Sequence, residues 1–221
     1  GFFVAGNAGI EPRTLSYYND SALSFFTPIT IEGVNSWFKR NTISYDTISS
    51  PTRAYVLGSN NNDQYLVSFD MSASSQALMN ISQIKLPVSN AIGLATDPKV
   101  SDRLILSGDK YVYESRDRGL TWTKIFDYPA GGLGTPISVN PTDSSEILLG
   151  GALLKNGVLS KLSLPEGVSY AVFDDKFSGV LYGASPGITF AEHRSFGFYL
   201  SVNNGKSWSS PCQRRVYGFL E

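Results

Sequence analysis

Short apolar runs ending in glycine punctuate the chain: Phe3-Val4-Ala5-Gly6, Tyr55-Val56-Leu57-Gly58, Leu104-Ile105-Leu106-Ser107-Gly108, Ile147-Leu148-Leu149-Gly150 and Val180-Leu181-Tyr182-Gly183. Their glycines lie 52, 50, 42 and 33 residues apart. Runs this short, bounded by turn residues, read as buried strands, and the spacing brackets the roughly 40–50-residue period of a four-stranded propeller blade. Before four of them stands a second β-rich run closed by an acidic or Asn turn: Ile43-Ser44-Tyr45-Asp46, Gly93-Leu94-Ala95-Thr96-Asp97-Pro98, Ile137-Ser138-Val139-Asn140-Pro141 and Ala171-Val172-Phe173-Asp174-Asp175. The turn residue precedes the repeat glycine by 12, 11, 10 and 9 positions. Asp and Asn start turns because their side chains bond the local backbone, and a following proline presets φ.

Two further β-like runs follow each glycine segment, as in Tyr111-Val112-Tyr113 and Thr121-Trp122-Thr123-Lys124-Ile125. Each full repeat therefore predicts four strands. No ten-residue stretch keeps apolar positions at helical spacing, so no helix is expected. The first repeat lacks its inner strand, and Val216-Tyr217-Gly218-Phe219-Leu220 is a spare one at the other end. Pairing it with Phe2–Gly6 would close the ring within one blade and remove two open edges. The expected fold is all-β: a single β-propeller domain over residues 1–221, of about five four-stranded blades, or a propeller fragment of a larger chain.

The strongest local signal is a turn. Ser115-Arg116-Asp117-Arg118-Gly119-Leu120-Thr121-Trp122 fits S-x-D-x-G-x-[ST]-W throughout, and Ser201-Val202-Asn203-Asn204-Gly205-Lys206-Ser207-Trp208 fits it with Asn for Asp, 86 residues later. Asp20 to Phe25 is a weaker copy, and Ser68-Phe69-Asp70-Met71-Ser72 a fragment. The fourth repeat has none, and Asn156-Gly157 is expected to turn the chain there. An acidic or amide oxygen at the third position accepts backbone N–H groups of the turn, the glycine permits positive φ, and the aromatic packs beneath. Ser115, Asp117, Gly119, Thr121, Trp122, Ser201, Asn203, Gly205, Ser207 and Trp208 are thus structural. Loss of either tryptophan is expected to cost ~3–5 kcal/mol.

These motifs resemble the Asp-box, or BNR, repeat. Related repeats occur in sialidases, sortilin-type luminal domains, xyloglucanases and photosystem II assembly factors. The segment from Gly179 to Trp208 looks most like the xyloglucanase and sortilin-type versions. The resemblance implies a propeller strongly and a function weakly, because superfolds host unrelated functions.

Composition narrows the function. Of 221 residues 42% are hydrophobic and 17% charged, a globular balance, and the formal net charge is −1 with no basic run longer than two. No nucleic-acid footprint is visible. No apolar run approaches the ~18 residues of a spanning helix, so membrane insertion is not expected. Cys212 is the sole cysteine and His193 the sole histidine, which excludes an intrachain disulfide and argues against a histidine metal site. Neither cofactor nor metal is expected. The start at Gly1 fits a processed precursor or a trimmed chain, and Asn19 and Asn80 head N-glycosylation triplets. Together these point to an extracellular or secretory-pathway setting.

No catalytic residue is assigned. Pro12-Arg13-Thr14 does not match the arginine motif that the resemblance would require of a sialidase. A glycosidase needs two opposed carboxylates, and the candidates Asp46, Asp97, Asp174 and Asp175 read first as turn formers. The expected role is a non-catalytic recognition or assembly module for a protein or glycan, including a structural subunit of an extracellular or viral assembly. A homo-oligomer or filament stays open. The alternative is one propeller of a xyloglucanase-like glycoside hydrolase. Trp37, Phe38, Lys39 and Arg40 are the first choice for a binding site, with Tyr17 and Tyr18 second. Residues 31–40 join two repeats, and Trp and Arg are enriched at interface hot spots.

Overall fold

The computed structural model describes residues 2–5, 15–18, 27–29, 36–37, 43–60, 63–71, 79–108, 110–128, 137–184 and 197–213. No helix occurs among them. The chain divides into two compact units, Gly1–Leu133 and Gly134–Glu221.

The first unit opens with a three-stranded antiparallel sheet of β1 (Phe2–Ala5), β2 (Leu15–Tyr18) and β3 (Thr27–Ile29). Next come β4 (Ser36–Trp37), β5 (Ile43–Asp46), β6 (Arg53–Asn60), β7 (Asp63–Asp70) and β8 (Met79–Lys85). β5 to β8 form an antiparallel meander in chain order. The third sheet is the meander β9 (Ala91–Thr96), β10 (Leu104–Gly108), β11 (Tyr111–Ser115) and β12 (Thr123–Asp127).

The second unit holds two more four-stranded meanders. One is β13 (Ile137–Val139), β14 (Glu146–Leu149), β15 (Ala152–Lys155) and β16 (Val158–Lys161). The other is β17 (Tyr170–Phe173), β18 (Leu181–Ala184), β19 (Gly197–Ser201) and β20 (Ser209–Gln213). The chain is therefore all-β, with blade-like sheets wherever the repeat was read. Asn156 (φ 50°) and Gly157 (φ 77°) turn the chain between β15 and β16, as expected.

Burial explains why the glycine-terminated runs lack polar alternation. From Ala54 to Ser59 every residue of β6 is buried, so both faces are covered. The last strand of a repeat is the opposite: β12 and β16 contain no buried residue. In the first unit Tyr55, Leu57 and Leu66 pack with Leu86, Leu94, Leu104 and Leu106, and Tyr113 and Trp122 lean on this core. In the second, Leu148, Ala171 and Leu181 pack together, flanked by Phe173 and Trp208.

β4 departs from the sequence reading. Residues 31–40 were expected to serve as a connection joining two repeats. Instead Ser36 and Trp37 pair with Ser59 and Gly58. β5 covers β6 only from Arg53 to Val56, because β6 is eight residues long and β5 four. The uncovered half offers unpaired backbone groups, and β4 takes them.

Candidate functional site

The hairpins of a meander alternate between its two ends. In the first unit the turns β5–β6, β7–β8, β9–β10 and β11–β12 share one end, here the box end. Trp37, paired at Gly58, belongs to the other.

At the box end the turn residues work as their chemistry dictates. Asp46 Oδ1 accepts the N–H groups of Ile48 and Ser49, both at 3.0 Å. Asp97 Oδ1 accepts those of Lys99 (2.7 Å) and Val100 (3.0 Å). In the second unit Asn140 Oδ1 accepts from Thr142 N–H at 2.8 Å, and Asp174 Oδ1 from Lys176 and Phe177 at 2.8 Å each. Burial alone would raise the Asp46 carboxyl, but the N–H groups of Asp102, Ser49 and Ile48 and the Ser49 hydroxyl outweigh it and hold it below the ordinary range. The Tyr182 hydroxyl, 2.5 Å away, and the two turn N–H groups lower Asp174 likewise. Among the expected candidates these three aspartates are committed to turns; Asp175 is exposed on the turn that Asp174 makes.

The two Asp-box turns are built alike. Ser115 Oγ accepts Gly119 N–H at 2.8 Å and donates to Asp117 Oδ1 at 2.8 Å, which also accepts Thr121 N–H at 2.9 Å. In the second box Ser201 Oγ accepts Gly205 N–H at 2.9 Å, and Asn203 Oδ1 accepts Ser207 N–H at 2.9 Å. Gly119 (φ 87°) and Gly205 (φ 77°) occupy the left-handed region. Each box also leans on the preceding turn of its own sheet: Arg118 N–H donates to Asp102 C=O at 3.1 Å, and Asn204 N–H to Gly179 C=O at 2.9 Å. Trp122 and Trp208 are half-buried against their cores.

Neighbouring repeats are stitched by serine hydroxyls. Ser44 Oγ, on β5, accepts the N–H of Thr96 on β9 at 2.9 Å. Ser138 Oγ, on β13, accepts that of Phe173 on β17 at 3.0 Å. Asp46 adds a second tie, since its Oδ2 takes the Ser101 hydroxyl (3.1 Å) and Asp102 N–H (3.0 Å) from the β9–β10 turn.

Between these turns opens a polar pocket of about 270 Å³, lined by Ser49, Ser50, Arg53, Asp70, Ser101 and Arg118. Arg53 Nε donates to Asp70 Oδ1 at 2.6 Å, and Asn80 Nδ2 donates to Asp70 Oδ2 at 2.7 Å. The Arg53 hydrogen bond holds the Asp70 carboxyl low, against the opposing effect of burial and with the help of Asn80. Arg118 is held through Nε by Asp102 Oδ1 at 2.7 Å. Sequence reading missed this pocket. Its arginines stand 65 positions apart in two repeats, and the one local hint was a charged residue at a variable position of a box.

The expected binding residues do not meet there. Trp37 lies in β4, and Tyr17 and Tyr18 lie in β2, paired with Phe3 and Phe2. Phe38, Lys39, Arg40 and Asn19 fall outside the described residues, as do 216–220 of the expected closure. Asn80 is exposed at β8, its amide tied to Asp70. Among the described residues no three metal-ligating side chains converge. No helix there is long and apolar enough to cross a membrane.

No family model matches the chain, and no curated protein matches it in sequence. Its likenesses are to solved structures. The structure of YCF48 bound to D1 peptide is 14% identical with a TM-score of 0.52, covering 93% of this chain and 78% of that one. An ancestral GH74 enzyme is 12% identical with a TM-score of 0.56, covering 94% of this chain and 29% of that one. The chain thus spans less than a third of the GH74 enzyme. What these likenesses show is the fold: an all-β, propeller-like repeat of the Asp-box type.

Proposed function

We propose that this chain is a non-catalytic recognition module that binds a segment of a partner protein. The carrying observation is the employment of the strand-end carboxylates. Asp46, Asp97 and Asp174 each hold a turn by accepting two backbone N–H groups, and a general acid or base needs an oxygen open to substrate. YCF48, similar in fold, is seen with a peptide. A single propeller of about five blades, closed by Val216–Leu220 on Phe2–Gly6, and an extracellular or secretory setting belong to the same proposal. So does a site at Trp37, Phe38, Lys39 and Arg40, with Tyr17 and Tyr18 as the second choice.

The experiment is a peptide array run beside a glycan array and an assay of xyloglucan oligosaccharide cleavage. Saturable binding to a subset of peptides without cleavage is expected. Cleavage would overturn the proposal in favour of a GH74-like hydrolase propeller, and binding confined to glycans would overturn the protein partner. Trp37→Ala should then weaken peptide binding roughly tenfold or more, with the circular dichroism unchanged. Unaltered binding removes Trp37 from the site.

A further inference from the structure

Arg53 and Arg103 hold the same place in consecutive repeats, at the entry to the second strand after the Asp turn. They are satisfied differently. Arg103 sends Nη1 to Asp97 and Nε to Glu114, both at 2.5 Å, and its side chain is 7% exposed. Arg53 has lost the corresponding partner, because Asp46 Oδ2 is taken by Ser49, Ser101 and Asp102. It turns to Asp70 through Nε alone. Among the described residues its two Nη groups make no hydrogen bond, although the side chain is only 13% exposed. The Nη groups of Arg118 likewise have no partner among the described residues, on a side chain that is 49% exposed. Both arginines line the pocket, and between them they hold four Nη nitrogens with no partner among the described residues.

Charge and size restrict what enters. The lining carries two guanidiniums and one carboxylate, and Asp102, paired with Arg118, brings the group to formal neutrality. Asp46 lies behind Ser49 and Ser101 with both oxygens saturated, and Asp102, outside the lining, faces Arg118. An anion would therefore be held by the Nη donors rather than by net charge, which suits a monoanion, whereas a phosphate near −2 would meet Asp70 and Asp102 with a further charge uncompensated. The Ser49 and Ser101 hydroxyls donate inward to Asp46, which leaves the arginine forks and the Ser50 hydroxyl as the side-chain donors. Planar forks match a planar carboxylate. A volume of about 270 Å³ suits one side-chain-sized group.

We propose that the pocket between Arg53 and Arg118 receives the carboxylate of a Glu or Asp side chain in the bound peptide, a second contact point at the box end, opposite the Trp37 end. The assignment rests on the protein-segment reading above. The test is a ¹⁵N NMR titration of the whole chain with N-acetylglutamate N-methylamide and, separately, its glutamine counterpart, glucuronate and inorganic phosphate. Saturable shifts of the Arg53 Nε–H and the Ser49 and Ser50 amides are expected with the glutamate probe and not with glutamine. Arg118→Asn should weaken them roughly tenfold, as loss of a charge-assisted hydrogen bond does. Asn204 stands at that position in the second box, so the substitution preserves the turn. Arg53→Lys keeps the pair with Asp70 but removes the fork, and should weaken the probe similarly. Equal shifts with glutamine, none with glutamate, or no loss in either variant would overturn the site. A stronger response to phosphate would overturn the monoanion, and a response to glucuronate alone the peptide source. Because the probe is a small molecule, failure here leaves the peptide array standing. A failed array with a positive titration would sink the protein-partner reading and not the pocket.

Discussion

The two Asp-box turns, Ser115–Trp122 and Ser201–Trp208, reach one backbone path with opposite polarity at one contact. In the first, Asp117 Oδ2 accepts the Thr121 hydroxyl at 2.5 Å. In the second, Asn203 Nδ2 donates to the Ser207 hydroxyl at 2.7 Å. A hydroxyl serves both because it donates and accepts. The turn thus needs one fixed acceptor oxygen at its third position, the one facing the serine and the backbone, while the second atom is interchangeable. The tryptophans differ as well. Trp208 Nε1 donates to Gly205 C=O at 3.2 Å, whereas Trp122 Nε1 is buried without a partner.

The largest test of this comparison is removal of the aromatic. Trp122→Ala and Trp208→Ala should each cost about 3 kcal/mol, the lower end for a large core aromatic, since both are half-buried. Replacement by Phe separates the boxes. Trp208→Phe loses a hydrogen bond of about 1 kcal/mol, while Trp122→Phe also discards an orphaned donor whose burial is unfavourable. Trp122→Phe should therefore be milder by about 1–2 kcal/mol in urea denaturation, and equal costs would contradict the difference between the indoles. Gly119→Ala and Gly205→Ala test the glycines. Both suffer about 1–2 kcal/mol for a side chain at positive φ. At Gly119 the new Cβ would collide with Leu66 Cδ2, whereas at Gly205 it would stand 3.2 Å from Leu162 and Leu181. Overpacking should add about 1–3 kcal/mol to the first and little to the second.

The smallest effect is electrostatic. The hydroxyl and N–H of Thr121 and the Ser115 hydroxyl hold Asp117 below the usual carboxylate range. A depressed carboxyl stabilises the fold fully above the ordinary value near 4, and that contribution fades as pH falls through the lower folded value. Asp117→Asn, which copies Asn203, should leave melting at pH 7 nearly unchanged and flatten its decline below about pH 4. A large loss at pH 7 would show that the two polarities are not equivalent.

The boxes, the Asx turns and the four meanders were legible in the sequence because each depends on residues within a few positions of one another. β5 emerged as Ile43–Asp46, the run read from its closing aspartate. β4 was not legible: only the unequal lengths of β5 and β6 leave room for it, and that is a pairing fact. The arginine pocket was hidden for a related reason. Nothing local to Arg53 reveals that Asp46, seven residues earlier, is occupied by Ser101 and Asp102 of the next repeat.

Ser44 and Ser138 reach beyond stitching. The first strand of a repeat has a sheet neighbour on one side only, so its other side is an open edge on which foreign strands can template. A serine hydroxyl from the preceding repeat seals one N–H of that edge, at Thr96 and again at Phe173. Ala95 and Val172, which hold the same place two residues before their turn aspartates, carry no hydroxyl to offer. Protection of these repeats from strand addition is therefore written one side chain at a time. Amide exchange at Thr96 and Phe173 would report it, since those protons are guarded by an alcohol rather than by a strand.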